Sequence, residues 1–314
     1  MLNKSKTTGH TLRLHLFSWL ALSRTPHALI DLAGPALAAL LCLGAFPSPD
    51  IMAVGLITAF AGYTAVYALN DIIDYQVDRE TCQGTVSGCV ATDLDSVFVR
   101  HPLAQGLISY NEALAWTLFW GTLAMIGAWW LNPFCLVIFL AAACLEIIYC
   151  ILLKVTWLRT VVSGFVKTSG PVAAAFAVNP QPPLIFLLVL FLWFFFWEIG
   201  GQNVPNDLSD VEGDRELQAV TIPVQFGLKA SLLVIFCSLS IAYLLSLALP
   251  LFVTDKSDLF YPAGTAVSGL YLLLLPAINL YRAPSAEKAF SLFNRASYYP
   301  LALLILLSLH LIFG

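Results

Sequence analysis

The sequence predicts an all-α membrane protein, a bundle of nine transmembrane helices with an active-site cavity opening to the cytoplasmic side. Three observations carry the helical bundle, and the acidic motifs described below carry the cavity. Of 314 residues, 59% are hydrophobic and only 11% charged, whereas soluble domains run at roughly half apolar and a quarter charged. The apolar residues gather in stretches of about the 20 residues that cross a bilayer as a helix. Lysine and arginine also gather in every second connection between those stretches. Strand barrels are excluded, because the runs are continuous and lack the alternation of outer-membrane strands.

The predicted spans are 27–46, 50–69, 110–131, 133–153, 160–178, 182–202, 230–250, 258–280 and 297–313. Lys4, Lys6, Arg13 and Arg24 precede the first. Arg79 and Arg100 lie between spans two and three, Lys154 and Arg159 between four and five, and Arg215 and Lys229 between six and seven. Arg282, Lys288 and Arg295 lie between eight and nine. The other side offers only Lys256. This bias places the amino terminus and the even-to-odd connections in the cytoplasm and the carboxyl terminus opposite, with the cell inner membrane as the expected location.

Residues 1–26 contain no acid, several bases and an apolar series at Leu12, Leu16, Trp19 and Leu20. They read as a cytoplasmic amphipathic segment, with an organellar presequence as the alternative. Residues 27–314 then form a single nine-helix domain. No basic, aromatic-rich patch suggests nucleic acid, and no protein partner is expected. Cys42, Cys135, Cys144, Cys150 and Cys237 fall within spans as packing residues. Cys82 and Cys89 share a cytoplasmic loop, where thiols are expected reduced.

The functional signal is a repeat. Span two ends in Asn70-Asp71-Ile72-Ile73-Asp74-Tyr75-Gln76-Val77-Asp78-Arg79-Glu80. Span six leads into Asn206-Asp207-Leu208-Ser209-Asp210-Val211-Glu212-Gly213-Asp214-Arg215-Glu216. Asn, three Asp, Arg and Glu recur at identical spacing. On a continuous helix, positions i, i+3 and i+7 fall within an arc of roughly 60°, so each trio of carboxylates shares a face. Two such ends facing each other would repel and resist desolvation, and hard divalent cations relieve this. With only oxygen donors in view and no histidine or thiolate nearby, magnesium, manganese or calcium are the candidates. Magnesium, which keeps waters and substrate phosphates, fits a phosphorylated ligand.

These motifs resemble those of the UbiA superfamily of intramembrane prenyltransferases. Asn70, Asp71, Asp74 and Asp78 match the family's first motif, and Asp207, Asp210 and Asp214 its second. Glu212 to Arg215, Thr221 to Val224 and Gly227 resemble its continuation. Arg24 with Pro26, Pro102 to Gly106, and Tyr149 with Lys154 are further echoes. The chain departs from the pattern where many relatives carry Arg-Pro and it carries His101-Pro102. It also inserts a 20-residue loop between Arg79 and Arg100, an active-site cap or a simple insertion.

The resemblance implies Mg2+-dependent transfer of a prenyl group from a polyprenyl diphosphate to an aromatic or lipid-like acceptor in the membrane. The six aspartates are its expected metal ligands and catalytic residues. Arg79, Arg215 and Lys154, at the cytoplasmic end, are candidates to bind diphosphate, with Asn70, Tyr149 and Arg24 as further substrate contacts. Among the ionisable groups inside spans, costly and functional by default, are Asp31, Glu146, Lys167 and Glu198. Lys167 is a candidate cationic partner for an acidic acceptor, or an internal partner of those acids. Gln202 and Asn203 are placed to orient substrate or to bond between helices. Alternatives are a membrane terpene cyclase, phosphoribosyl transfer to a polyprenyl phosphate, and a cation-coupled transporter. Transport fits poorly, because its sites sit near the midplane.

Overall fold

The computed structural model describes residues 16–84, 99–252 and 259–313. Among these residues, nine helices are long and apolar enough to cross a membrane: α1 Thr25–Leu43, α2 Pro49–Ile73, α3 Tyr110–Leu131, α4 Pro133–Lys154, α5 Arg159–Val178, α6 Leu184–Ser209, α7 Ile222–Phe252, α8 Phe260–Arg282 and α9 Ala286–Phe313. No strand occurs among them. The expected number of spans is met, and several boundaries move. α2 continues through Asn70 and Asp71, α6 runs on to Ser209, and α9 begins with the amphipathic turns Ala286–Ser297.

Local chemistry sets these boundaries. Ser109 and Glu112 form a reciprocal capping box at the start of α3, with the Glu112 backbone N–H donating to Ser109 Oγ at 3.3 Å. Asn132 closes α3 and caps α4, accepting from the Phe134 N–H at 2.9 Å, and Pro133 supplies the fixed first-turn φ. α7 is broken at Gly227, whose φ of 78° suits a residue without Cβ. The continuous part of α7 therefore begins where the sequence reading places its start.

α6, α7 and α9 enclose the main core, built around Trp193, Phe194, Trp197, Leu239, Leu303 and Leu307. The aromatic run of α6 thus divides between the core and the remaining faces. Just beyond it, Glu198–Asn203 form a π-helical turn, a feature that recurs at functional sites. Gly200 permits it: an added Cβ would lie 2.8 Å from Ser238 Cβ and 3.0 Å from the Ile235 carbonyl on α7. Outward-facing Phe119, Trp129, Leu233 and Leu244 suit contact with lipid.

Residues 16–22 are helical and end against α3, where Trp19 meets Trp116 at 4.8 Å between ring centroids. Residues 1–15 of the expected amino-terminal segment lie outside the described residues, as does 85–98, the bulk of the loop read as a cap or an insertion. Cys82, expected as a reduced thiol, is disulfide-bonded.

Between α1, α2, α4 and α5 lies a cavity of about 420 Å³, lined by groups including Pro35, Phe46, Tyr63, Phe139 and Val166. Along α2 it extends from Ile51 to Val66, and Val66 is about 7.5 Å short of Asp71 along the helix axis. None of the six motif aspartates lines it.

Candidate functional site

Neither acidic motif lies on one continuous helix, contrary to the expected shared face. α2 ends at Ile73, and Asp74 takes φ −82°, ψ 4° before a new helix, Tyr75–Gly84. In the second motif Asp210 takes φ −125°, ψ 31° between α6 and the helix Val211–Glu216. Both breaks fall on the middle aspartate. The third aspartate of each motif thereby enters the first turn of a new helix, where negative charge is favoured. Gly213 leaves room for the fold-back of Asp210, whose Oδ1 would lie 2.6 Å from a Cβ there.

The carboxylates are unequal as a result. Asp71 and Asp207 are buried, with 3% and 6% exposure, and Asp210 is exposed. Asp71 and Asp78 converge with His101, their ligand atoms lying within 4.8 Å of one another. A histidine therefore does stand beside the first motif, correcting the expectation of oxygen donors alone. His101 Nδ1 is 2.9 Å from Asp78 Oδ2. A thiol is close as well: Asn70 Nδ2 reaches Cys150 Sγ at 3.2 Å and Glu146 Oε1 at 2.9 Å.

Arg24 faces the same end, 3.3 Å from Asn70 Oδ1 and 3.4 Å from Asp71 Oδ1. Lys154 meets Glu80 at 3.3 Å across a largely exposed pair, worth little in water. Arg79 and Arg215 are exposed. The base that sits between the motifs is Arg159, which the sequence reading counts only as a topological anchor. It is 7% exposed, with Nη1 3.6 Å from Asp207 Oδ1 and its guanidinium 4.1 Å from the centre of the Tyr149 ring. The Tyr149 hydroxyl accepts from Asn203 Nδ2 at 3.2 Å. Thr221 Oγ1 donates to Asp214 Oδ2 at 3.0 Å, which accounts for the buried threonine after the second motif.

Two groups outside the spans show the electrostatics. Burial, with repulsion from Asp78, pushes the Asp74 carboxyl up to about 6, against the pull of Arg159 and Arg24. Burial likewise raises Asp214 to about 6, opposed by the Thr221 hydrogen bond and by Arg159. The Arg159 charge is thus felt in both motifs. Because these folded values lie above that of a free aspartate, ionisation above pH 6 destabilises the unliganded fold and protonation below it relieves the cost. A divalent cation reverses this by binding the ionised form. Mg2+ is expected to raise the melting temperature more at pH 8 than at pH 5.5, and its apparent affinity to fall as pH drops through 6. Melting curves across magnesium concentrations at both pH values check this, and equal stabilisation at both would contradict it.

Deeper in the membrane, Lys167 Nζ lies 2.6 Å from Asp31 Oδ2, and Tyr67 donates to the same oxygen. Lys167 is therefore already engaged by an internal acid. Ser163 donates to Glu198 Oε1 at 2.6 Å, and Ser297 to Gln202 Oε1 at 3.1 Å. These groups form a polar belt between the aspartates and the apolar cavity.

The residues fit a divalent cation with a phosphate ligand. Asp207 Oδ2, Arg159 Nε and Asn203 Oδ1 are buried without hydrogen-bond partners, which native proteins rarely leave. The first motif meanwhile offers a compact set of ligand atoms.

The chain is similar to known proteins in sequence and in fold. The sequence pattern of the UbiA prenyltransferase family matches residues 32–304. The chain is 27% identical over 259 residues to a protoheme IX farnesyltransferase of Vesicomyosocius okutanii subsp. Calyptogena okutanii (strain HA), covering 80% of this chain and 79% of that one. Its fold is similar to the apo structure of a UbiA homolog from Aeropyrum pernix K1, with TM-score 0.70 and 17% identity over 90% of this chain and 98% of that one. A UbiA homolog from Archaeoglobus fulgidus bound to DMAPP and Mg2+ gives TM-score 0.66 and 17% identity, over 93% and 99% of the two chains.

Proposed function

The chain belongs to the UbiA prenyltransferase family, and we propose that it transfers the prenyl group of a polyprenyl diphosphate to a lipophilic acceptor within the membrane. The observation that carries this reading is Arg159, buried against Asp207 with its charge reaching Asp74 and Asp214. A charged group so enclosed by acids from two distant segments marks a place built for a multiply charged ligand.

Asp71, Asp74 and Asp78 would hold divalent cation on one side, and Asp207, Asp210 and Asp214 on the other. Mg2+ bound there supplies Lewis-acid stabilisation of the departing diphosphate. Arg159 and Arg24 supply fixed positive donors beside the charge that develops on the leaving group. Asn203 and Tyr149 hold the rim in register, Tyr149 by lying under the Arg159 guanidinium. The apolar cavity along α2 takes the hydrocarbon tail, with C1 of the donor toward Asp71. The exposed Arg79, Arg215 and Lys154 serve the entrance.

The test offers purified protein a series of prenyl diphosphates with Mg2+, with and without membrane extract, and reads products by mass spectrometry. Farnesyl diphosphate with protoheme IX is one arm, chosen for the relative named above. A prenylated acceptor supports transfer, and a hydrocarbon product would replace it with cyclisation. Intact donor under all conditions would refute the proposal.

The motif end is proposed to face the cytoplasm, which the run of bases on that side supports. A cysteine introduced at Ser209, which is partly exposed, is then expected to react with an impermeant reagent only from the inner side. Labelling from outside would invert the topology.

A further inference from the structure

The two aspartate motifs repeat in sequence, and their surroundings differ in one chemically decisive respect. Beside the second motif stand Arg159 and Thr221. Beside the first stands an imidazole. We propose that Asp71, Asp78 and His101 form a mixed oxygen–nitrogen site that takes a first-row transition cation such as Mn2+ or Co2+ in preference to Mg2+, so that the two motifs hold chemically different ions. This rests on the reading that the motifs bind divalent cations.

Three observations lead there. The ligand atoms of Asp71, Asp78 and His101 all lie within 4.8 Å of one another. Cis ligands at about 2.1 Å from an octahedral cation are roughly 3.0 Å apart, and opposite ones roughly 4.2 Å. The 2.9 Å from His101 Nδ1 to Asp78 Oδ2 is such a cis edge, and the 4.8 Å limit on the set exceeds the trans separation by about 0.6 Å, which a small side-chain adjustment on binding closes. Second, this ring nitrogen is buried and makes no hydrogen bond. Its 2.9 Å approach to Asp78 is an ion-pair distance without hydrogen-bond geometry, an arrangement that suits two ligands turned toward one cation. Third, His101 is held there by the chain. It adopts φ 49° immediately before Pro102, a combination that sterics disfavour. A turn fixes it, in which the Gln105 N–H donates to the His101 carbonyl at 3.1 Å and the Leu107 N–H to that of Pro102 at 2.9 Å.

The chemistry follows from the donor. Magnesium favours oxygen and keeps its waters, whereas imidazole suits first-row ions such as Fe, Ni and Zn; Mn2+, softer than Mg2+ though it also accepts oxygen sets, is the paramagnetic member that can report a nitrogen ligand. Arg24 lies 3.4 Å from Asp71 Oδ1, a contact that leaves the second carboxylate oxygen available, since an ionised carboxylate accepts at both.

Mn2+ bound to untagged, detergent-purified protein tests this without reference to turnover. Pulsed electron spin-echo modulation is expected to show a directly coordinated nitrogen, lost in His101→Asn. That variant is expected to lose about tenfold or more of the preference for Mn2+ over Mg2+ and to keep Mg2+ binding. Bound Mn2+ without nitrogen modulation, or modulation that survives in His101→Asn, would overturn the assignment and leave His101 as an ion-pair partner of Asp78. Failure of the underlying metal reading looks different: neither Mn2+ nor Mg2+ would bind, or Asp71→Asn would leave both affinities unchanged. Because the decisive spectrum is that of the wild-type protein, a poorly folding variant cannot hide the answer.

Discussion

The double substitution Asp71→Asn, Asp74→Asn is expected to abolish cation-dependent release of diphosphate from a prenyl diphosphate, a loss of at least about 10³-fold. Removing a single preorganised donor to a developing oxyanion costs about 10²–10³ in rate, and here two members of one metal-binding set lose their charge together. Asn is nearly isosteric with Asp, so packing around the buried Asp71 is retained. Arg24 keeps its contact with Asn70 Oδ1. Asp74 is held at about 6 by burial and by Asp78, so neutralising it removes repulsion from the unliganded protein. The variant should therefore melt at least as high as the wild type without metal, while losing the stabilisation that Mg2+ confers. Phosphate release in nanodiscs, read beside melting with and without Mg2+, separates the two effects. Wild-type release by this variant would sink the assignment of the first motif.

The architecture is legible in the sequence because lipid imposes a simple rule: each span must close its backbone hydrogen bonds internally as a helix. Hydropathy and the alternation of bases therefore carry the span order without tertiary information. The repeated acidic frame marks the candidate site for a similar reason, since clustered carboxylates have few structural uses. What was not legible depended on packing. The helix breaks at Asp74 and Asp210 are invisible to a rule that assumes 3.6 residues per turn throughout. Arg159 stands at the head of α5, where a positive residue is the ordinary mark of an inner loop. Only the fold turns it inward onto Tyr149, and an arginine and a tyrosine straddling the short α4–α5 turn were the available hint. His101 had a clearer signal, since it occupies the place where many relatives carry arginine. Lys167 shows the converse: an intramembrane lysine stood out, and the fold gives it Asp31.

Arg159 carries the second large prediction. Substitution by Gln leaves Asp207, 6% exposed, as a buried carboxylate without its counter-charge, and breaking a buried pair in this way costs about 3–5 kcal/mol. Loss of activity in Arg159→Gln alone would therefore be ambiguous, because a destabilised protein is also a poor enzyme. The double variant Arg159→Gln, Asp207→Asn resolves this. With both charges gone, most of the lost stability is expected to return, so the two substitutions should be strongly non-additive in melting experiments. Turnover is expected to stay low, since neither the guanidinium nor the Asp207 carboxylate is present to meet diphosphate and cation. Arg159→Lys is the finer probe. It keeps the charge and loses the planar fork suited to phosphate oxygens, so stability should largely survive while the KM for the prenyl diphosphate rises. The KM for the acceptor should move less, because the Arg159 guanidinium is assigned to the diphosphate of the donor and not to the acceptor. Wild-type KM and turnover in a folded Arg159→Lys protein would show that the guanidinium geometry is not used on the diphosphate. Stability unrestored in the double variant would show instead that Arg159 is held chiefly by its stacking on Tyr149.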